Sequence, residues 1–269
     1  MTDKPDFPLH DAFCAEISAA ISPVRVNAPK GILHVDGALH PIDKIDSPVS
    51  GRAGFAYSVN QAQLDRIGRF VDVEALAFKG MRVTDLSPLA ALPRLQRLQL
   101  WWVQKLTRLD GLRDMALDVL LLEDYKNASD LTPLASIGGL RALTLRGGIW
   151  NKQPCDELAP LVGLPLGELQ IGGLVLADGD LRRLAEIETL RDLWLSYGYP
   201  VESYAWLHAQ RPDLRCEAFQ PYLDVPHAHD GKTIMVMGKR KPMLDPNKDA
   251  KRLAKYVADW EALVEGFRV

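Results

Sequence analysis

Histidine pairs, lysine beside glycine, and cysteine are the residues here that could build a metal, phosphate or nucleophilic site. His227-Ala228-His229-Asp230 puts two imidazoles at alternate positions, the spacing that lets both share one side of a strand. A zinc site needs three or four ligands of matched geometry. No Cys or Glu stands at motif spacing beside this pair, so a solvated loop is the stronger reading. His34 and His40 flank Asp36-Gly37, a tight-turn dipeptide, and in that hairpin they point to opposite faces, which argues against a shared metal. Gly238-Lys239-Arg240-Lys241-Pro242 resembles part of a phosphate loop. Such a loop needs several glycines ahead of the lysine and a helix behind it, whereas here one Gly is present and the Pro removes a donor. Gly147-Gly148 and Gly172-Gly173 follow strand-like stretches, where turning the chain accounts for them. No Ser, His and Asp set and no Cys and His pair can be placed together from the sequence. The expectation is therefore no catalytic residue, no cofactor and no metal. The alternative is an enzyme with a site between the N-terminal hairpin and the basic C-terminal segment.

Binding remains, and it depends on the elements that would carry it. Leu76/Phe78, Leu98/Leu100, Leu120/Leu122, Leu143/Leu145, Leu169/Ile171 and Leu193/Leu195 alternate as short strands do, and a worn pair, Glu217/Phe219, continues the series. The steps between them are 22, 22, 23, 26, 24 and 24 residues. After each strand comes a return segment: Leu86-x-x-Leu89, Leu109-x-x-Leu112, Leu131-x-x-Leu134, Leu158-x-x-Leu161, Leu181-x-x-Leu184 and Tyr204-x-x-Leu207. Pro88, Pro133 and Pro160 favour a short turn or 3-10 segment there. A leucine pattern at a period of 20 to 29 residues is the signature of a leucine-rich repeat solenoid. The paired leucines must point into the stack, because no single repeat can bury them alone. The predicted fold is thus α/β, with one curved parallel sheet on the concave face and short turn, 3-10 or helical returns.

Asp85-Leu86-Ser87-Pro88-Leu89-Ala90-x-Leu92-Pro93-x-Leu95 and Asp130-Leu131-Thr132-Pro133-Leu134 resemble the short, ~22-residue repeats of bacterial internalin-like leucine-rich repeat proteins. The resemblance covers roughly residues 55 to 220. The asparagine that usually follows the strand in that family is missing from most copies, and Gly80, Trp102, Asp124 and Gly147 stand near its place. The resemblance implies recognition of another macromolecule by the concave sheet, with no cofactor and no reaction.

The solenoid needs ends. Residues 1–54 read as a helix over Asp11 to Ile21 and a hairpin over Ile32 to Ile42; residues 55–220 are the repeats; residues 221–269 are a cap. In the cap, Lys232 to Gly238 reads as a strand. Asp245-Pro246 then opens a helix with Leu253, Tyr256, Val257, Trp260, Leu263, Val264 and Phe267 on one face. The formal net charge of −3 in 269 residues gives no reason to expect a nucleic-acid or membrane partner. From Asp230 to Lys255 eight Lys/Arg face three Asp/Glu, an excess best read as a solvated face of the cap. An N-terminus without a basic end and apolar run, together with three widely spaced cysteines (Cys14, Cys155 and Cys216), predicts a reduced, cytoplasmic protein.

Residues flanking each buried pair alternate outward. The central outward column is Ala77, Gln99, Leu121, Thr144, Gln170 and Trp194. The column after it is Lys79, Trp101, Glu123, Arg146, Gly172 and Ser196, and the one before it is Ala75, Arg97, Val119, Ala142, Glu168 and Asp192. Trp102, Asp124, Tyr125, Trp150, Tyr197 and Tyr199 lie just beyond. Aromatics and Arg are what protein-binding patches concentrate. The expected partner-binding set is Arg97, Gln99, Trp101, Trp102, Leu121, Glu123, Tyr125, Arg146, Trp150, Trp194, Tyr197 and Tyr199, contacting a protein on the concave face, in the narrowest version as an inhibitor or immunity protein. The competing reading is that these rings pack on one another or beneath the N-terminal segment.

Overall fold

The inward leucines stack in register. The computed structural model describes residues 4–21, 30–148, 152–177, 179–226 and 231–268. Its strands are β1 (Ile32–Val35), β2 (Ala38–Pro41), β3 (Ala53–Tyr57), β4 (Ala75–Lys79), β5 (Arg97–Trp101), β6 (Val119–Glu123), β7 (Ala142–Arg146), β8 (Glu168–Gly172) and β9 (Asp192–Leu195). They form one nine-stranded sheet in the order β9-β8-β7-β6-β5-β4-β3-β1-β2. From β3 to β9 every neighbour is parallel, while the β1–β2 hairpin closes one end antiparallel. Leu76, Leu98, Leu120, Leu143, Leu169 and Leu193 are aligned partners in this ladder, each no more than 1% exposed. This is the leucine-rich repeat solenoid.

The return segments are 3-10 turns at Ser87–Ala91, Asp110–Leu112, Thr132–Ser136, Ala159–Leu161 and Arg182–Glu186. The motif residues explain the turns. The Asp85 carboxylate accepts bonds from the Ser87 amide and hydroxyl at 2.8 and 2.6 Å, and the Asp130 carboxylate accepts from the Thr132 amide at 2.8 Å. These bonds hold both carboxyl groups below the usual carboxylate range. At the two ends the turns lengthen into α-helices: α2 (Gln61–Phe70), opened by an Asn60/Gln63 capping box, and α3 (Val201–Gln210).

The Glu217/Phe219 pair is not a strand. One bridge joins Arg215 to Asp192, after which the chain turns and buries Phe219 against the His208 ring. With no further repeat to pair with, that segment gains more from packing inward. Beyond it a small antiparallel sheet, β10 (Tyr222–Asp224), β11 (Ile234–Val236) and β12 (Met243–Leu244), leads to α4 (Ala250–Phe267). The helix starts four residues later than the Asp245-Pro246 signal suggests. Asp245 instead accepts the Asn247 amide at 2.9 Å and so closes a separate turn. Trp260 and Val264 of α4 are buried, with the Trp260 ring stacked on His208 at 6.4 Å. No helix of the described residues is long and apolar enough to cross a membrane.

The first helix, α1 (Pro8–Ile21), lies across the concave face. Its Phe13, Ile17 and Ala20 pack on outward residues of the sheet: Ala53, Ala75, Ala77, Val119, Leu121 and Ala142. The sheet also receives amides at and just before the start of the helix. The Glu168 carboxylate accepts from Leu9 and His10 at 2.8 and 3.1 Å, and Asp192 accepts from Asp6 at 2.8 Å. Glu16 pairs with Arg97 at 2.9 Å and Arg52 at 2.7 Å.

Candidate binding surface

Helix α1 decides which predicted contacts are available. Its apolar face covers Ala75, Ala77, Val119, Leu121 and Ala142 of the first and central outward columns, so Leu121 is 1% exposed, and Arg97 is spent on Glu16. Tyr125 and Tyr199 are also buried, because their segments turn under the sheet rim into the leucine core. Those three, Leu121, Tyr125 and Tyr199, therefore offer no surface to a partner. Gln99 is half-buried and donates to Glu123 at 2.9 Å. Trp150 lies outside the described residues, as do His227, His229 and Asp230.

The third column is covered less. Tyr57, Lys79, Trp101, Glu123, Arg146 and Gly172 are aligned on successive strands; Trp101 is exposed, Tyr57, Lys79, Glu123 and Arg146 are half-buried, and Gly172 is buried. Trp101 is 42% exposed, with the Lys79 ammonium 3.8 Å from its ring centroid. Farther along, the Trp194 ring lies over Gly172, where an added Cβ would come within 2.9 Å of it. The Arg146 guanidinium lies 5.0 Å from the centroid of that ring and donates to the Gln170 side-chain amide oxygen. Tyr197 meets Trp194 edge-on at 6.5 Å and donates its hydroxyl to Glu217 at 3.0 Å. Burial and the Glu217 carboxylate push the Tyr197 phenol well up, so it remains a donor at any physiological pH.

Trp102 sits one position past its strand with φ +63°, in the left-handed region that a bulky residue enters only under strain. The reason is the ladder itself. Ser58, Gly80, Trp102 and Asp124 hold the same turn at φ +57°, +75°, +63° and +51°. Each amide donates to the next repeat: Ser58 to Lys79, Gly80 to Trp101, Trp102 to Glu123 and Asp124 to Arg146. The backbone bonds thus do the bridging that the missing asparagines would do, and Trp102 is held out, 41% exposed.

One constellation escaped the sequence reading. On α1, His10 Nε2 is 3.9 Å from Cys14 Sγ and its Nδ1 is 2.9 Å from Asp11, the pattern of a nucleophile, base and orienting acid. The i, i+4 spacing of His10 and Cys14 was the available signal. The surroundings oppose the chemistry: burial, with Glu123 and Asp11 nearby, pushes the Cys14 thiol up, away from thiolate. Among the described residues the hairpin adjoins one end of the sheet and the basic C-terminal segment follows the other, so the two sides of the alternative enzyme site are not brought together. Among the described residues, no group of three His, Cys, Asp or Glu is placed to hold a metal ion.

No protein-family model matches the sequence, and no curated protein is similar to it. Among solved structures, the chain is similar to an internalin and to internalin C2, both from Listeria monocytogenes, each at 18% identity and TM-score 0.45. Each likeness covers 80% of this chain, and it covers 58% of the first internalin and 88% of the second.

Proposed function

We propose that the chain is a non-catalytic recognition module that holds a protein partner along the open strip of the concave face. The contacts are Trp101, Trp102, Trp194 and Tyr197, with Lys79, Glu123 and Arg146 setting the charge pattern. The observation that carries this reading is the pair of neighbouring tryptophans, each about two-fifths exposed, beside a sheet whose outward Ala75, Ala77, Val119, Leu121 and Ala142 are covered by α1. A fold that buries Ala75, Ala77 and Leu121 under its own helix yet leaves two indoles in water favours an external contact. Three free thiols, two of them buried, fit a reducing compartment. In its narrower form the module is an inhibitor or immunity-type protein, and binding then abolishes the partner's activity.

The test is retention of a partner by the immobilised chain, followed by its affinity for Trp101→Ala, Trp194→Ala and the control Val175→Ala, an exposed apolar residue off the strip. Loss of affinity at the two tryptophans with none at Val175 supports the strip. Equal affinities for all three variants exclude it.

A further inference from the structure

At one end of the open strip the rings form a slot. A Cβ placed on Gly80 would stand 3.4 Å from Trp102 Cε3 and 3.6 Å from Tyr57 Cε2, so the two rings wall a space whose floor is Gly80. Both distances are ordinary carbon–carbon contact, so an atom standing over Gly80 would touch both rings at once. The cleft is about 320 Å³ and is also lined by Lys30, Arg82 and Lys105, with no carboxylate. None of these three cations makes an ion pair with a described residue. Elsewhere on this face Arg97 pairs with Glu16, Arg146 lies beside Glu123, and Lys79 is taken up by the Trp101 ring. Strain points to the same place, because Trp102 is held in the left-handed region to form one wall.

We propose that this slot takes one aromatic side chain presented by an acidic segment of the protein partner. The inference rests on the recognition reading and names the chemistry it selects. The volume, near the low end for ligand pockets, suits a single side chain. Lys30, Arg82 and Lys105, without an ion pair among the described residues, select carboxylates on either side of the ring. A nucleic-acid strand, which would also stack and bring negative charge, would run on along the strip into Glu123, and the chain's net charge of −3 opposes it. Tyr57 of the slot is aligned with Lys79, and Lys79 with Trp101, so the partner segment follows the rim with its ring inserted between Tyr57 and Trp102.

The experiment titrates the full chain with capped pentapeptides and follows the tryptophan indole N–H signals by NMR. The account expects saturable binding of EDYDE with Kd below about 1 mM, and a shift of the Trp102 signal. EDADE and KKYKK should bind at least tenfold more weakly, and Trp102→Asn or Arg82→Glu should weaken EDYDE at least tenfold while the far-ultraviolet circular dichroism stays unchanged. No saturable binding of EDYDE, equal binding of EDADE, or full affinity in Trp102→Asn overturns the proposal. So does tighter binding of a five-residue oligothymidylate than of EDYDE. The peptide titration is independent of the partner test. A captured partner that depends on Trp101 and Trp194 but tolerates Trp102→Asn sinks the slot alone; a chain that captures nothing sinks the recognition reading and leaves the titration to decide the slot.

Discussion

Single residues carry two consequences open to measurement. Trp102 occupies a backbone state that costs an L-residue about 1 to 2 kcal/mol. Asparagine tolerates that state, but the change also loses the half-buried contacts of the indole. The two effects oppose, so Trp102→Asn should fold within about 1 kcal/mol of the parent in denaturant unfolding. A large loss would show the ring to be a structural prop. His34 is the second case. It is fully buried, neither ring nitrogen has a partner among the described residues, and burial lowers its pKa below the usual imidazole value. The sign follows. The unfolded chain accepts the proton more readily than the folded one, so stability is intact above about pH 6.5 and is lost as pH falls below it. His208, also lowered by burial, adds to the same trend. Unfolding midpoints at pH 7.5 and 5.5 should therefore differ in the parent, and the difference should shrink in His34→Leu. Equal pH dependence in both would place the sensitivity elsewhere. None of this was legible beforehand, because a lone histidine in a hairpin shows its face but not what covers that face.

At the scale of elements, spacing made the strands and turns legible, since a leucine every second residue at a period near 22 permits one stacking. The covering of the concave face by α1 was not read, although its signal was present. Ala75, Ala77, Val119, Leu121 and Ala142 are apolar where an open face would be polar, and a helix with Phe13 and Ile17 on one side needed a surface. What pairwise spacing cannot show is which surface a tethered helix reaches. The docking is testable through its polar end. Glu168→Ala removes the acceptor of the Leu9 and His10 amides, leaving them without a partner. Hydrogen exchange over residues 8–21 should quicken at least tenfold while the β6 and β7 amides keep their protection. Unchanged exchange in α1 would mean that its apolar face alone holds it. Gly68 of α2 gives a second test. Alanine normally strengthens a helix interior, but a Cβ here would overlap the Pro88 carbonyl oxygen of the next turn. Gly68→Ala should cost about 1 kcal/mol or more, the opposite sign to its helix propensity.

The whole molecule is one stack with different ends. A single apolar core runs from Leu33 in the hairpin to Val264 in α4, so each repeat is finished by its neighbour and the last by α3 and α4. Ending the chain before Lys232 would uncover His208, Phe219 and the α3 face beneath Trp260, and should give aggregation and a lower melting temperature; a monomer of parental stability would free α4 for another role. The apolar stripe of α4 made this end readable, but the later start of the helix was not, since Asp-Pro opens turns as readily as helices. Function is less legible because a recognition surface is defined by what lies over it, and α1 withdrew Leu121 and Arg97 from the predicted set. What remains exposed, Trp101 and its rim neighbours, bears the central claim. The most direct measurement is the affinity of a captured partner for Trp101→Ala against the parent, with the melting temperature of each. The account predicts a loss of about thirtyfold, equivalent to about 2 kcal/mol, at an unchanged melting temperature. Parental affinity, or an affinity loss matched by lost stability, would contradict it.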